Sequence, residues 1–470
     1  MSFLKILRIG CLTGWGLALL VALFWWWAGQ RRFRTWNWDW RWKDPLAEHN
    51  GRGPSAPPEE VRLEAAPQET LAHEPLQVFR VTGLAPGQVV GIRAVTKDQE
   101  GRMWTAAALF QADDQGVVDL TQQAPLQGTY TGVDPMGLFW SMRPVRPMRV
   151  PLFQLPSPGY TVTLTVEVAG RVLARTEVVR RLQQPGVTCR EVREGRLVGA
   201  LCRPSGEGPF SAVLLLSGSE GGYHPDRAAW WASHGMAAFS LAYFGVAPLP
   251  PRLSRIPVEY FLEAVAWLRR HPDVDPERVY VFGASRGSEA ALLTGLYADP
   301  PLAGVIAMVP SHVLWAGLDF SQGRPGAAWT YQGQDLPYAS WGWSWEFLRM
   351  MVGQPVRLRP VFEAALKRGV PEEAYIPVER LPCPLLLLSA TDDQMWPSTE
   401  MAQALVERME AHGKGHQVTH VVLEGAGHVV LYGYVPPVRL VQPFLLGGET
   451  REANVYGGLK AWKAILDFVR

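Results

Sequence analysis

The chain has almost no charge imbalance and very little cysteine. Lys plus Arg number 45 against 44 Asp plus Glu, a formal net charge of +1. With no basic excess to draw in a phosphate backbone, no nucleic-acid partner is expected. The four cysteines form no Cys-x-x-Cys, which argues against a thiolate metal site, and no metal or organic cofactor is expected. Charged residues make up only 19% of the chain and hydrophobic ones 47%, an ordinary globular balance. A length of 470 residues suggests two or three domains. What is abundant is tryptophan, 20 residues, many of them near the N-terminus.

Ile9 to Gly29 is a run of 21 residues without a charge. At 1.5 Å per residue a helix of that length reaches about 30 Å, the thickness of the bilayer hydrocarbon. Lys5 and Arg8 precede it, Arg31, Arg32 and Arg34 follow it, and Trp25, Trp26 and Trp27 stand at its end, where indole favours the interface. Residues 1–34 are therefore expected to form a retained transmembrane helix. A cleavable signal peptide is the competing reading, but the run is long and no clear small-x-small cleavage site follows. The heavier basic flank lies on the C-terminal side, which places the body on the cytoplasmic face. Residues 35–69 read as a tryptophan-rich segment and a linker. Trp36, Trp38, Trp40 and Trp42 alternate with polar residues and would share one side of an extended strand. Ala47 to Gln68 has the Pro, Gly and Glu content of a connector.

From 70 to 185, short β-branched and aromatic runs are broken by turn signals such as Gly83-Leu84-Ala85-Pro86-Gly87 and Asp113-Asp114-Gln115-Gly116. That spacing predicts an antiparallel β-sandwich without catalytic residues of its own. Cys189 and Cys202 flank a turn at Gly195-Arg196 and would face one another. A disulfide is then possible in an oxidising compartment, but on the cytoplasmic reading they are expected to be two reduced thiols.

Residues 186–470 read differently. Val279 to Phe282 is a buried-strand pattern that runs into Gly283-Ala284-Ser285-Arg286-Gly287 and then a helix-forming stretch. Strand, Gly-x-Ser-x-Gly and helix make a nucleophile elbow, with Ser285 presented at the carboxyl edge of a sheet. Upstream, Ala212 to Leu216 is another strand, ending in Ser217-Gly218-Ser219-Glu220-Gly221-Gly222. The two donors of an oxyanion hole are expected from the amide of Arg286 and from the Ser219, Glu220 and Gly221 amides. Strands at Ala237–Ala242 and Leu302–Val309 and an amphipathic helix over Pro257–Arg270 continue a strand–helix alternation, so the sheet should be mostly parallel. Gly323 to Met351 breaks it, and with Trp329, Trp341, Trp343 and Trp345 it reads as a cap over an acyl pocket.

Two further loops follow apolar strands. Leu385 to Leu388 leads to Asp392-Asp393-Gln394-Met395-Trp396-Pro397, and Val421 to Leu423 leads to Gly425-Ala426-Gly427-His428. Ser, Asp, His in that order is the α/β-hydrolase arrangement. Asp393, four residues before the proline, is the first choice for the acid that orients the histidine, and Asp392 the second. His428 is the base, with His224 and His312 as rivals because each follows a strand.

Motifs recurring in order across both domains make the chain similar to the acyl-CoA thioesterase / bile acid-CoA:amino acid N-acyltransferase family of the α/β-hydrolase superfamily. They are Gly83-Leu84-Ala85-Pro86-Gly87, Asp134-Pro135-Met136-Gly137-Leu138-Phe139-Trp140-Ser141-Met142, Ser217 to Gly222, Leu241-Ala242-Tyr243-Phe244-Gly245, Ile376-Pro377-Val378-Glu379-Arg380, Asp392 to Ser398 and Gly425 to His428. The resemblance implies acyl-CoA or a related acyl ester as substrate, with Ser285, Asp393 and His428 as nucleophile, acid and base. The amino-acid-conjugating branch of that family looks like it uses cysteine where Ser285 stands, so hydrolysis is expected over transfer to an amine. A non-catalytic binding role is the third reading, disfavoured by an intact set of three. The N-terminal anchor is outside the usual family pattern.

Overall fold

A computed structural model describes residues 44–47, 60–146, 148, 151–321, 323–351, 353–441 and 443–470. The 9–29 run and the Trp36–Trp42 alternation lie outside the described residues. Among the described residues no helix is long and apolar enough to cross a membrane.

The first domain packs a sheet of three strands against one of seven. Its strands are β1 (Arg62–Ala66), β2 (Glu69–Leu71), β3 (Val78–Thr82), β4 (Val89–Lys97), β5 (Met103–Gln111), β6 (Val118–Asp119), β7 (Gln127–Gly128), β8 (Arg143–Pro144), β9 (Gly159–Val168) and β10 (Arg171–Arg181). The small sheet runs β1-β3-β6 and the large one β2-β10-β9-β4-β5-β7, with β8 on β5. Alternation sets the inner face: Tyr160, Val162, Leu164 and Val166 of β9 are all buried, with the residues between them more open. Two expectations change. The pairing is not wholly antiparallel, because β2 runs parallel to β10. The connector ends earlier than 69, because β1 already belongs to the sandwich. Pro and Glu hid it, yet Leu63 and Ala65 turn inward in alternation with exposed Arg62 and Glu64. Asp44 and Leu46 also belong to this domain: Asp44 pairs with Arg93, and Leu46 packs on Ala107 and Leu109.

The second domain is a sheet of eight strands: β11 (Thr188–Glu194), β12 (Leu197–Arg203), β13 (Phe210–Leu216), β14 (Ala237–Ala242), β16 (Val274–Ala284), β17 (Gly304–Met308), β20 (Leu385–Ala390) and β21 (Val418–Leu423). Their order is β11-β12-β14-β13-β16-β17-β20-β21. The first three pair antiparallel and the rest parallel. Between them lie helices α1 (Pro225–Ala232), α2 (Val258–Arg270), α3 (Arg286–Tyr297), α4 (Trp345–Met351), α5 (Arg359–Arg368) and α6 (Ser398–Ala411), and α7 (Arg451–Val469) closes the chain. The residual strands β18 (Trp329–Tyr331) and β19 (Gln334–Asp335), from the stretch joining β17 to β20, make a separate small sheet with β15 (Ile256–Pro257), which lies just before α2. Buried on both faces, the central strands are continuous apolar runs, as in Ala212–Leu216 and Leu385–Leu388.

Cys189 and Cys202 are register partners across β11 and β12, 4.0 Å apart at Cα, and joined as a disulfide. This corrects the expectation of two reduced thiols; directly opposed side chains on an antiparallel pair are close enough to bond. Cys383 is free and buried.

The two domains share one core. A single apolar cluster runs from Phe79, Ile92 and Phe139 of the sandwich to Trp230, Trp231 and Trp462 of α1 and α7. His73, Trp230, His234 and Trp462 stack at the seam, with ring centroids 4.7–5.7 Å apart. Arg451 of α7 donates to the carbonyls of Trp140 and Met142, and buried Arg180 donates to those of Ala72 and Glu74. The Asp134–Met142 motif is thus a docking turn. Its Asp134 carboxylate takes the Met136 amide and the Trp140 indole N–H, which fixes the carbonyls that Arg451 reads.

Candidate active site

Three loops converge at the carboxyl edge of the parallel strands. The elbow joins β16 to α3, and its backbone holds Ser285 at φ 55°, ψ −124°. Neither neighbouring glycine could carry a side chain. A β-carbon at Gly283 would meet the Gly287 carbonyl oxygen at 1.9 Å, and one at Gly287 the Ser217 oxygen at 2.4 Å. The acid loop follows β20. Asp393 is fully buried, and its Oδ1 accepts from the Met395 and Trp396 amides at 2.9 and 3.2 Å. The third loop follows β21, held where the Gly427 amide donates to Asn454 and the His428 amide to Leu446 O.

These loops put three side chains in line. Asp393 Oδ2 lies 2.8 Å from His428 Nδ1, and His428 Nε2 lies 2.9 Å from Ser285 Oγ. The rivals lie elsewhere. Asp392 accepts from Gln394 Nε2 and does not reach the imidazole. His224 lies 3.8 Å from Glu220. His312 packs at a tilt against Tyr375, ring centroids 5.5 Å apart, and burial pushes its pKa down to about 4.

Both expected sources of oxyanion donors lie beside Ser285. Arg286 opens α3, so its amide has no partner within the helix. In the upstream loop the Gly221 amide donates to Gly218 O at 3.3 Å, and the Glu220 amide turns to its own carboxylate. The Ser219 amide makes neither of these turn bonds. The Glu220 carboxylate comes close: a β-carbon on Gly218 would be 2.7 Å from its Oε2 and 3.3 Å from Ser285 Cβ. Burial works against its charge, but Arg227, 2.9 Å away, holds its pKa below the ordinary glutamate range.

A second tie at the elbow escapes a motif search. The Arg286 side chain donates to the carbonyls of Trp315 and Ala316 and pairs with Glu289 at 2.9 Å. Glu289 Oε2 accepts from the Trp329 indole at 2.8 Å and from the Trp315 amide. Both partners are wholly buried; burial drives the Glu289 pKa up to about 7 and lowers that of Arg286. The signal in the sequence is a charge pair at i, i+3 inside an otherwise apolar helix, Arg286-Gly287-Ser288-Glu289-Ala290-Ala291. Trp329 is consequently not part of a cap. It lies under the elbow helix, 1% exposed, while Trp343 and Trp345 are 67% and 70% exposed.

An eight-stranded sheet in this order, with a serine on a strained strand–helix turn backed by histidine and aspartate, defines an α/β-hydrolase. Residues 73–194 match the family described as the acyl-CoA thioester hydrolase/BAAT N-terminal region, and residues 256–470 match its C-terminal counterpart. Acyl-coenzyme A thioesterase 1 of Rattus norvegicus is 33% identical over 413 residues, covering 84% of this chain and 92% of its own. Peroxisomal succinyl-coenzyme A thioesterase of Mus musculus is 32% identical over 405 residues, with the same coverage. The mitochondrial acyl-coenzyme A thioesterase 2 of Homo sapiens is 31% identical and covers 84% of this chain and 80% of its own. The chain belongs to the acyl-CoA thioester hydrolase/BAAT family and is an acyl-CoA thioesterase-like hydrolase.

Proposed function

We propose that this is a membrane-anchored serine hydrolase that cleaves acyl-CoA thioesters to free acid and CoA. The observation that carries the reading is the Asp393–His428–Ser285 line, with contacts of 2.8 and 2.9 Å, in a chain of this family. His428 Nε2 takes the Ser285 proton as Oγ attacks the thioester carbonyl carbon. The Arg286 and Ser219 amides hold the oxyanion. The tetrahedral adduct collapses, the C–S bond breaks, and the CoA thiolate leaves with the proton from the imidazolium. Water, deprotonated by His428, then attacks the acyl-serine; the C–O bond breaks, and Ser285 recovers its proton as the acid departs. Asp393 fixes the tautomer that makes this possible. Residues 9–29 hold the enzyme to the bilayer, and the basic C-terminal flank favours the body on the cytoplasmic side, where CoA thioesters are made.

The test is thiol release from palmitoyl-CoA by the purified full-length chain and by Ser285→Ala. Equal release by both sinks the reading. Adding glycine or taurine and weighing the products separates hydrolysis from acyl transfer to an amine. One observation favours a second reading. The Cys189–Cys202 disulfide belongs in an oxidising compartment. A body on that face would meet carboxylic esters rather than CoA thioesters. Protease digestion of intact spheroplasts decides between the two: a protected body supports the first, a digested one the second.

A further inference from the structure

The stretch joining β17 to β20 ends in apolar surface that the fold does not use. Trp343 and Trp345 pack edge to face at 4.9 Å and stand 67% and 70% exposed, and Leu348, one turn along α4, is 39% exposed. A cation sits with them: a β-carbon on Gly342 would come within 2.6 Å of Nη1 of Arg368. Between Ser340 and Val370 the chain carries Arg349, Arg357, Arg359, Lys367 and Arg368 against Glu346 and Glu363. Arg349 and Arg359 pair with those glutamates; Arg357, Lys367 and Arg368 make no ion pair among the described residues. Indole rings with an unpaired guanidinium next to them are what the headgroup layer of an anionic bilayer accepts.

This surface leads inward. Trp341 is 5.8 Å from Phe362, Phe362 is 5.5 Å from Trp396, and Trp396 is 5.7 Å from the imidazole of His428, centroid to centroid. An aromatic wall thus connects the base of the triad to a residue two positions from exposed Trp343. The chain outside the fold supplies the occupant. Only residues 30–43, which is 14 residues, separate the uncharged run from Asp44, which is tied to Arg93. Fully extended they reach about 50 Å, no more than the roughly 55 Å width expected of a body this size. The body cannot move farther from the bilayer than its own width.

We propose that Trp343, Trp345, Leu348 and Arg368 form a membrane-docking surface that seats the mouth of the active site on an anionic phospholipid bilayer, so that long acyl chains pass from lipid to Ser285 along the Trp341–Phe362–Trp396 wall. The proposal rests on the anchored reading of residues 9–29 given above.

Full-length protein in a Cys11→Ala background, carrying Trp345→Cys or Val172→Cys, is labelled with bimane and reconstituted into vesicles of phosphatidylcholine and phosphatidylglycerol. Val172 is 52% exposed on the sandwich and serves as the reference. Headgroup nitroxide lipid is expected to quench the label at 345 and spare that at 172. Equal quenching, quenching at 172 alone, or no quenching overturns the proposal, and label-to-label quenching at 345 without lipid quenching reassigns the surface to a second copy of the chain. Trp343→Ala/Trp345→Ala should raise the KM for vesicle-borne palmitoyl-CoA about tenfold, as expected for roughly 1.4 kcal/mol of lost interfacial contact. Its KM for soluble hexanoyl-CoA should move less than about twofold, since neither indole touches the triad. An equal rise for both substrates also overturns it. If the wild type hydrolyses no acyl-CoA, the proposed function fails, while the quenching still reads the docking. Release of the protein from the vesicles on carbonate washing removes the anchor, and with it the tether on which the docking rests, and overturns the proposal while leaving thiol release to test the proposed function.

Discussion

The three loops that carry Ser285, Asp393 and His428 differ in kind from the stretch between β17 and β20 that surrounds them. Each loop is short, follows a parallel strand and is fixed by close backbone contact, as where Gly283 and Gly287 leave no room for a β-carbon. The connecting stretch is long and contributes only short elements; besides backbone pairing at β15 and a few loop contacts it is held by side chains, Arg286 and Glu289 from the elbow helix and the aromatic contacts of Trp315, Phe362 and Trp396. The first arrangement places atoms for chemistry and tolerates little. The second attaches an outer surface to that chemistry, in part through the buried polar bonds of Arg286 and Glu289.

The contrast can be tested by substitution. Ser285→Ala should lower kcat by about 10⁴ or more with the fold intact, read by steady-state kinetics alongside circular dichroism. Asp393→Asn should lower it by about 10²–10⁴, since the imidazole loses its fixed tautomer. Asp392→Asn, a neighbour whose carboxylate accepts from Gln394 and not from the imidazole, should stay within about threefold. The reverse ranking would move the acid to Asp392. Glu289→Leu addresses the tie rather than the chemistry. It leaves a buried guanidinium without its carboxylate and should cost about 3–5 kcal/mol of stability in urea unfolding. Unchanged stability there would mean that the connecting stretch is not held through the elbow.

The smallest expected effect is a pH dependence belonging to the connecting stretch. His312 has its pKa lowered by burial to about 4, so between about 6.5 and 4 the unfolded chain binds a proton that the native chain refuses. Stability is therefore complete above pH 6.5 and lost as the pH falls toward 4. Because the ring is only partly enclosed, the loss should be about 1–2 kcal/mol. Urea titrations at pH 7 and 5 should show a smaller difference in His312→Asn than in the wild type.

The same contrast explains what the sequence reveals. Ser285 and His428 are legible because the glycines around them are demanded by contacts a few residues away, so spacing alone carries the geometry. Asp393 is legible from its distance to Pro397. The oxyanion loop is legible only in outline: the sequence offers three amides, and the structure occupies those of Glu220 and Gly221 within the turn. Trp329 misleads, since aromatic content says nothing of depth and its indole is spent on Glu289. β1 is missed because charged and apolar residues alternate on a strand with one face in water, a composition shared with linkers.

The seam between the domains has a consequence for any attempt to take the molecule apart. A cut between Arg181 and Thr188 severs one peptide segment, but the apolar cluster beneath it belongs to both sides. Freed of its partner, the hydrolase half would turn Trp230, His234 and Trp462 to solvent, and the sandwich half would lose the Arg451 that reads its docking turn. Neither piece is a module to be grafted or exchanged alone; the two must be synthesised, folded and inherited as a single unit.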